Sequence, residues 1–121
     1  MKRQTLDSID REHGILWSFA TPRYTIAYWA EPEDMAPEDS FEFADDIEAV
    51  RSGAVDWFCA FMGIFDADGE LIDRDVLGGC AYTTARSFAQ GDNRNGYFRD
   101  MVRQCISFGR EREIRNQFFS A

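Results

Sequence analysis

The stretch AVDWFCAFMGIFDADGELIDRDVLGGCAY, residues 54–82, decides the fold. Its first part is apolar on both parities. Val55, Trp57, Cys59, Phe61 and Phe65 fall on one side of an extended chain, and Phe58, Ala60, Met62 and Ile64 on the other. Side chains alternate across a strand, so a run with two apolar faces is a central strand, covered on both sides or covered once and facing a partner. DADG (66–69) then carries hairpin-turn chemistry, with Gly69 where positive φ is tolerated. Residues 70–82 return as the paired strand. Gly78 and Gly79 in its second half predict a bulge or a close backbone approach.

Upstream, GILWSFA (14–20) and YTIAYWA (24–30) flank TPR (21–23), where Pro22 suits a tight turn. They predict a second hairpin, with Ile15, Trp17 and Phe19 on one face of its first strand and Tyr24, Ile26, Tyr28 and Ala30 on one face of its second. Residues 1–13 are polar, either frayed or a short helix. Downstream, Thr84 as a cap and Phe88 as an anchor define a short helix over 83–89, and QGDNRNG (90–96) reads as a loop. YFRDMVRQCISF (97–108) is the clearest helix, with Phe98, Met101, Val102, Cys105 and Phe108 in one stripe. It continues into REREIRNQFF or kinks at Gly109, since Gly costs roughly 1 kcal/mol against Ala in a helix.

EPEDMAPEDSFEFADDIE (31–48) holds nine carboxylates and no Lys or Arg. Pro32 and Pro37 keep its first half extended. Asp39 and Glu42 approach a capping box, Phe43, Ile47 and Val50 follow at helical spacing, and Gly53 is a stop, so a helix is expected over 40–52. The order is then β-β-α-β-β-α-α in a single domain spanning 1–121. The fold class is α+β: an antiparallel sheet of about four strands with the C-terminal helix packed on one face.

Some of these acids suit the positive end of the helix dipole. The rest either solubilise a solvated surface or meet a partner. Met35, Phe41 and Phe43 interrupt the run, and it holds no base to offset its repulsion. Acids with apolar anchors describe a surface for a basic partner. The candidate partner-binding residues are Glu31, Glu33, Asp34, Glu38, Asp39, Asp45 and Asp46, with Phe41 or Phe43 as anchor. The loop acids Glu31, Glu33, Asp34 and Glu38 have the least structural reason to be there.

Net charge is −9, from 22 acids against 13 bases. Such a surface repels phosphate backbones and anionic membranes, which disfavours direct nucleic-acid or membrane binding. The last helix and its flanks carry Arg94, Arg99, Arg103, Arg110, Arg112 and Arg115, interleaved with Asp100, Glu111 and Glu113. A salt-bridged solvent face is favoured there over a nucleic-acid face. An arginine face meeting the acidic run of a second copy, or an exposed sheet face, would give a homodimer. No apolar run approaches the roughly 20 residues of a membrane span, and no signal-peptide pattern follows the polar start, so the cytoplasm is the expected location.

Motifs for chemistry are weak. Asp66, Asp68 and Glu70 open a calcium-loop pattern, but Leu71 and Leu77 stand where such a loop needs Gly and a bidentate acid, so no metal is expected. LGGC (77–80) matches no phosphate-loop pattern. Cys59, Cys80 and Cys105 read as reduced, buried thiols. His13, the one histidine, has no nucleophile motif around it. No catalytic residue or cofactor is expected, and a non-enzymatic role is favoured. Any small-molecule pocket would draw its polar groups from Tyr82, Cys80 and the arginines of the last helix.

FATPRYTIAYWAEPED (19–34), LGGCAY (77–82) and YFRDMVRQCISFGRE (97–111) resemble a loose family of short proteins from phages, prophages and plasmids. The resemblance covers about half the chain and rests on structural motifs. It implies a mobile-element origin and action in the host cell cytoplasm. Small acidic proteins of that origin include inhibitors of host defence, of the anti-CRISPR and antirestriction kind. These bind nucleoprotein machinery or mimic nucleic acid. The partner it implies is a basic host protein or nucleoprotein complex.

Overall fold

The computed structural model describes residues 4–90 and 96–119. Residues 91–95, most of the expected loop with its Arg94, lie outside the described residues. Helix α1 (Leu6–His13) opens the fold. Thr5 and Ser8 cap each other: the Thr5 hydroxyl accepts from the Ser8 amide at 3.1 Å and the Ser8 hydroxyl from the Thr5 amide at 2.9 Å. The polar start is therefore a short helix, written by a T-x-x-S box. Thr5→Ala should lower stability by about 1 kcal/mol in a urea melt. An unchanged midpoint would mean that packing of Ile9 alone holds α1.

The other elements are β1 (Trp17–Ala20), β2 (Thr25–Pro32), α2 (Ala44–Arg51), β3 (Asp56–Phe65), β4 (Leu71–Tyr82) and α3 (Gly96–Phe119). The strands lie in the order β1-β2-β3-β4, and every neighbouring pair is antiparallel. Trp17, Tyr28, Met62 and Asp75 form one row across the sheet. The expected α+β sheet with a C-terminal helix on one face is the observed architecture.

Strand β3 is covered on both sides. On one face Ile26, Tyr28, Phe58, Ala60, Met62 and Ile64 pack with Phe98, Met101 and Cys105 of α3. Phe88, on a 3-10 turn over Arg86–Ala89, sits among the rings of Tyr28, Phe58, Tyr82 and Phe98. On the other face Ala27, Trp29 and Phe65 bury Ile9 of α1. Helix α1 covers only part of this second face: Trp57, Cys59 and Phe61 are half-buried and Val76 is exposed.

Three expectations need correction. Strand β1 starts at Trp17, because Gly14 ends α1 at φ 82° and the Asp10 carboxylate takes the Ile15 amide at 2.8 Å. Ile15 consequently joins the α1 cluster while Trp17 packs towards α3, so the two do not share a face. The helix expected over 40–52 begins only at Ala44. Pro37 starts a 3-10 turn instead, and the Ser40 and Phe41 amides both donate to the Pro37 carbonyl at 3.0 Å. Asp39 is therefore not an N-cap. The helix expected over 83–89 is the shorter 3-10 turn, with the Thr84 hydroxyl accepting from the Ser87 amide.

Helix α3 runs unbroken through Gly109. A Cβ there would stand 3.0 Å from Ile64 Cδ1, so glycine lets the helix lie close on β3. Among the described residues no helix is long and apolar enough to cross a membrane.

Candidate functional site

The acidic run leaves the sheet at the end of β2, travels outward and returns through α2 into β3. Its root is built around Glu33. One Glu33 oxygen accepts from the Gly79 amide at 2.7 Å and from the Cys59 thiol at 3.0 Å; the other accepts from the Met35 amide at 3.0 Å. The expected bulge explains why a strand amide is free to reach it. Phe58 pairs with Cys80 but Ala60 pairs with Leu77, so Cys59 faces both Gly78 and Gly79. Gly79 takes φ 66°, a left-handed conformation that suits glycine in a bulge. The thiol and the two amides hold the Glu33 carboxyl below its ordinary range. Burial, then the facing carboxylate, pushes the Cys59 thiol up to about 12.

Next to this root, the Trp57 indole donates to the Met35 carbonyl at 2.8 Å and its ring packs 5.6 Å from Phe41. Pro37 is buried. Further out, the Arg51 guanidinium pairs with the Glu38 carboxylate. The expectation that the run has no base to pair with is therefore corrected. Arg51 lies just past it in sequence, and the turn of α2 brings it back. At the other end, Glu31 accepts from the Trp29 indole at 2.9 Å and lies 3.7 Å from His13 Nε2.

The candidate residues thus separate. Glu31, Glu33 and Glu38, three of the four acids with the least apparent structural reason, have partners within the fold. Phe41 is half-buried against Trp57. Asp34, Asp39, Asp45 and Asp46 are exposed and form no ion pair among the described residues. Phe43, which lies between Asp39 and Asp45 in sequence, has 70% of its surface exposed although it is a large aromatic. Sequence spacing could not separate Phe41 from Phe43, because the 3-10 turn at Pro37 decides which ring turns inward.

Elsewhere the chemistry is sparse. Among the described residues no three of His, Cys, Asp and Glu converge as metal ligands. The three cysteines are free thiols. Asp66 serves its own turn, accepting from the Asp68 and Glu70 amides. On α3, Arg103 pairs with Asp100 at 3.5 Å and Arg112 approaches Asp66 at 3.9 Å, in keeping with a salt-bridged face.

Sequence reading missed an apolar cleft of about 690 Å³ between β1 and α3. Of the polar groups expected around a pocket, only Arg110 lines it. Cys80 is buried in the α3-side core and Tyr82 packs against that core. The signal was present: Val102, Ile106 and Gly109 form a second weakly polar line along α3, beside the main stripe.

Comparison with known proteins found no matching family model, no matching curated protein and no matching solved structure.

Proposed function

We propose that the protein is a non-enzymatic binding module that docks on a basic protein surface through residues 34–48. The observation that carries this reading is Phe43, an exposed aromatic on the same short segment as Asp34, Asp39, Asp45 and Asp46, which form no ion pair among the described residues. An exposed aromatic on a segment of like charges gains nothing for the free protein. It fits an anchor that fills a pocket on a partner while the acids meet basic groups around it. The rigid root at Glu33 and Trp57 supports the same reading, since a presented loop held in one conformation loses less entropy on binding. Basic surfaces are common on proteins that handle nucleic acid. With the resemblance to mobile-element proteins, the partner class is a host nucleic-acid-handling protein or nucleoprotein complex, and the role is inhibition of host defence.

The test is affinity capture from host lysate, followed by binding of the captured partner to variants. Reversing Asp34, Asp39, Asp45 and Asp46 to Lys should abolish binding while the protein still unfolds cooperatively: none of the four forms an ion pair among the described residues, and the cost is confined to Asp45 and Asp46 in the first turn of α2, about 1 kcal/mol each. Phe43→Ala should cost about 2 kcal/mol of binding energy. Raising salt should weaken the complex steeply. A partner that binds the quadruple variant as tightly as the parent protein sinks the reading.

A further inference from the structure

We propose that the cleft between β1 and α3 binds a free long-chain aliphatic carboxylate, its tail along the cleft and its head group on Arg110. The cleft exists because two elements fail to meet. Gly109 brings α3 close to Ile64, but β1 stops at Ala20 and turns away through Thr21–Tyr24. The second half of α3 then overhangs the sheet with open space beneath it. Phe19, Ile26, Ile64, Val102, Ile106 and Ile114 line that space. Its volume, about 690 Å³, lies within the range of small-molecule sites. From Val102 to Gln117 the lining follows about 22 Å of helix axis at 1.5 Å per residue, a length suited to an alkyl chain.

Charge selects the head group. Glu113 also lines the cleft, but it accepts from the Tyr24 hydroxyl and pairs with Arg23 at 3.0 Å. Arg110 makes no hydrogen bond or ion pair among the described residues, so the uncompensated charge at this rim is positive in a protein of net charge −9. A guanidinium beside an apolar groove matches a carboxylate, which it can hold through two parallel hydrogen bonds.

The area argues against a second copy as the occupant. Phe19, Ile106 and Ile114 are 56%, 39% and 55% exposed. Together they offer on the order of 300 Å² of apolar surface, well below the roughly 800 Å² per partner of a stable interface. An anionic bilayer would be repelled by the rest of the surface, which favours the free acid over a membrane lipid.

Isothermal titration calorimetry on the purified, delipidated chain tests this with decanoate and decyltrimethylammonium, which share a tail and differ in the sign of the head. Decanoate should bind one to one and the cation far more weakly. Arg110→Gln, an exposed substitution, should weaken decanoate about tenfold and leave the cation no weaker than before. Ile114→Glu should remove decanoate binding. Four results overturn the proposal. They are no heat with decanoate, equal binding of the cation, unchanged decanoate affinity in Arg110→Gln, and a dimer in sedimentation that Phe19→Glu dissociates. None of these depends on the acidic face, so the partner-binding reading stands or falls separately.

Discussion

Phe88→Ala should destabilise the protein by about 4 kcal/mol, as expected for deleting a fully buried aromatic ring. Phe88 has no exposed surface, and its ring lies 5.1 Å from Tyr82, 5.3 Å from Tyr28, 6.0 Å from Phe98 and 6.3 Å from Phe58. These rings come from β2, β3, β4 and α3. The packing is mostly edge-to-face, so neighbours cannot close over the hole without losing their own geometry. The Tyr28 hydroxyl also donates to the Ala85 carbonyl at 2.6 Å, which ties the sheet to the turn that carries Phe88. Domains of this size have total stabilities of about 5–15 kcal/mol, so the variant should lose between about a quarter and four-fifths of the total. Denaturant unfolding followed by far-ultraviolet circular dichroism gives the number. A loss under about 1 kcal/mol would show that the turn is a decoration and the core closes without it.

Glu33→Gln should cost about 2 kcal/mol and loosen the acidic excursion. The substitution keeps the shape of the side chain and removes the charge that three donors address. One side-chain oxygen is replaced by an amino group, so at least one of Gly79, Cys59 and Met35 loses its acceptor. The effect has a pH signature. The Glu33 carboxyl is held below its ordinary range in the fold, so its stabilising contribution is complete above about pH 5 and is lost as pH falls through about 4 and then through the folded value. The gap between parent and Glu33→Gln should therefore be widest near neutrality and shrink in acid. Hydrogen exchange at the Met35 and Gly79 amides reports the same loosening locally. A gap that stays constant from pH 7 to pH 3 would show that the charge is irrelevant to the latch.

How far these features can be read from sequence differs from place to place. The two-faced apolar run at 55–65 announced a central strand, and the stripe from Phe98 to Phe108 announced the helix on it; both signals are periodic and local. The bulge at Gly78–Gly79 was legible because glycine has few other reasons to sit in a strand. The role of Glu33 was not legible. Its partners, Cys59 and Gly79, are 26 and 46 residues away, and nothing in a run of acids distinguishes the one that turns inward. The pairing of Glu38 with Arg51 was hidden for the same reason. The cleft depends on where β1 stops, and strand ends are set by hydrogen bonds around Gly14 and Thr21 rather than by hydropathy.

The N-terminal helix has a particular place in the order of assembly. Its first turn is fastened to the β3–β4 hairpin: the Leu6 amide donates to the Gly69 carbonyl at 2.8 Å and the Leu71 amide to the Gln4 carbonyl at 3.0 Å. Ile9 packs on Ala27, Trp29 and Phe65, the last of which is at the far end of β3. The four strands follow chain order and can zip up one hairpin after another. The helix that precedes them must instead wait for a hairpin about sixty residues later, a large loop to close. During synthesis α1 thus emerges before the sheet and can take its seat only after the β3–β4 hairpin has formed.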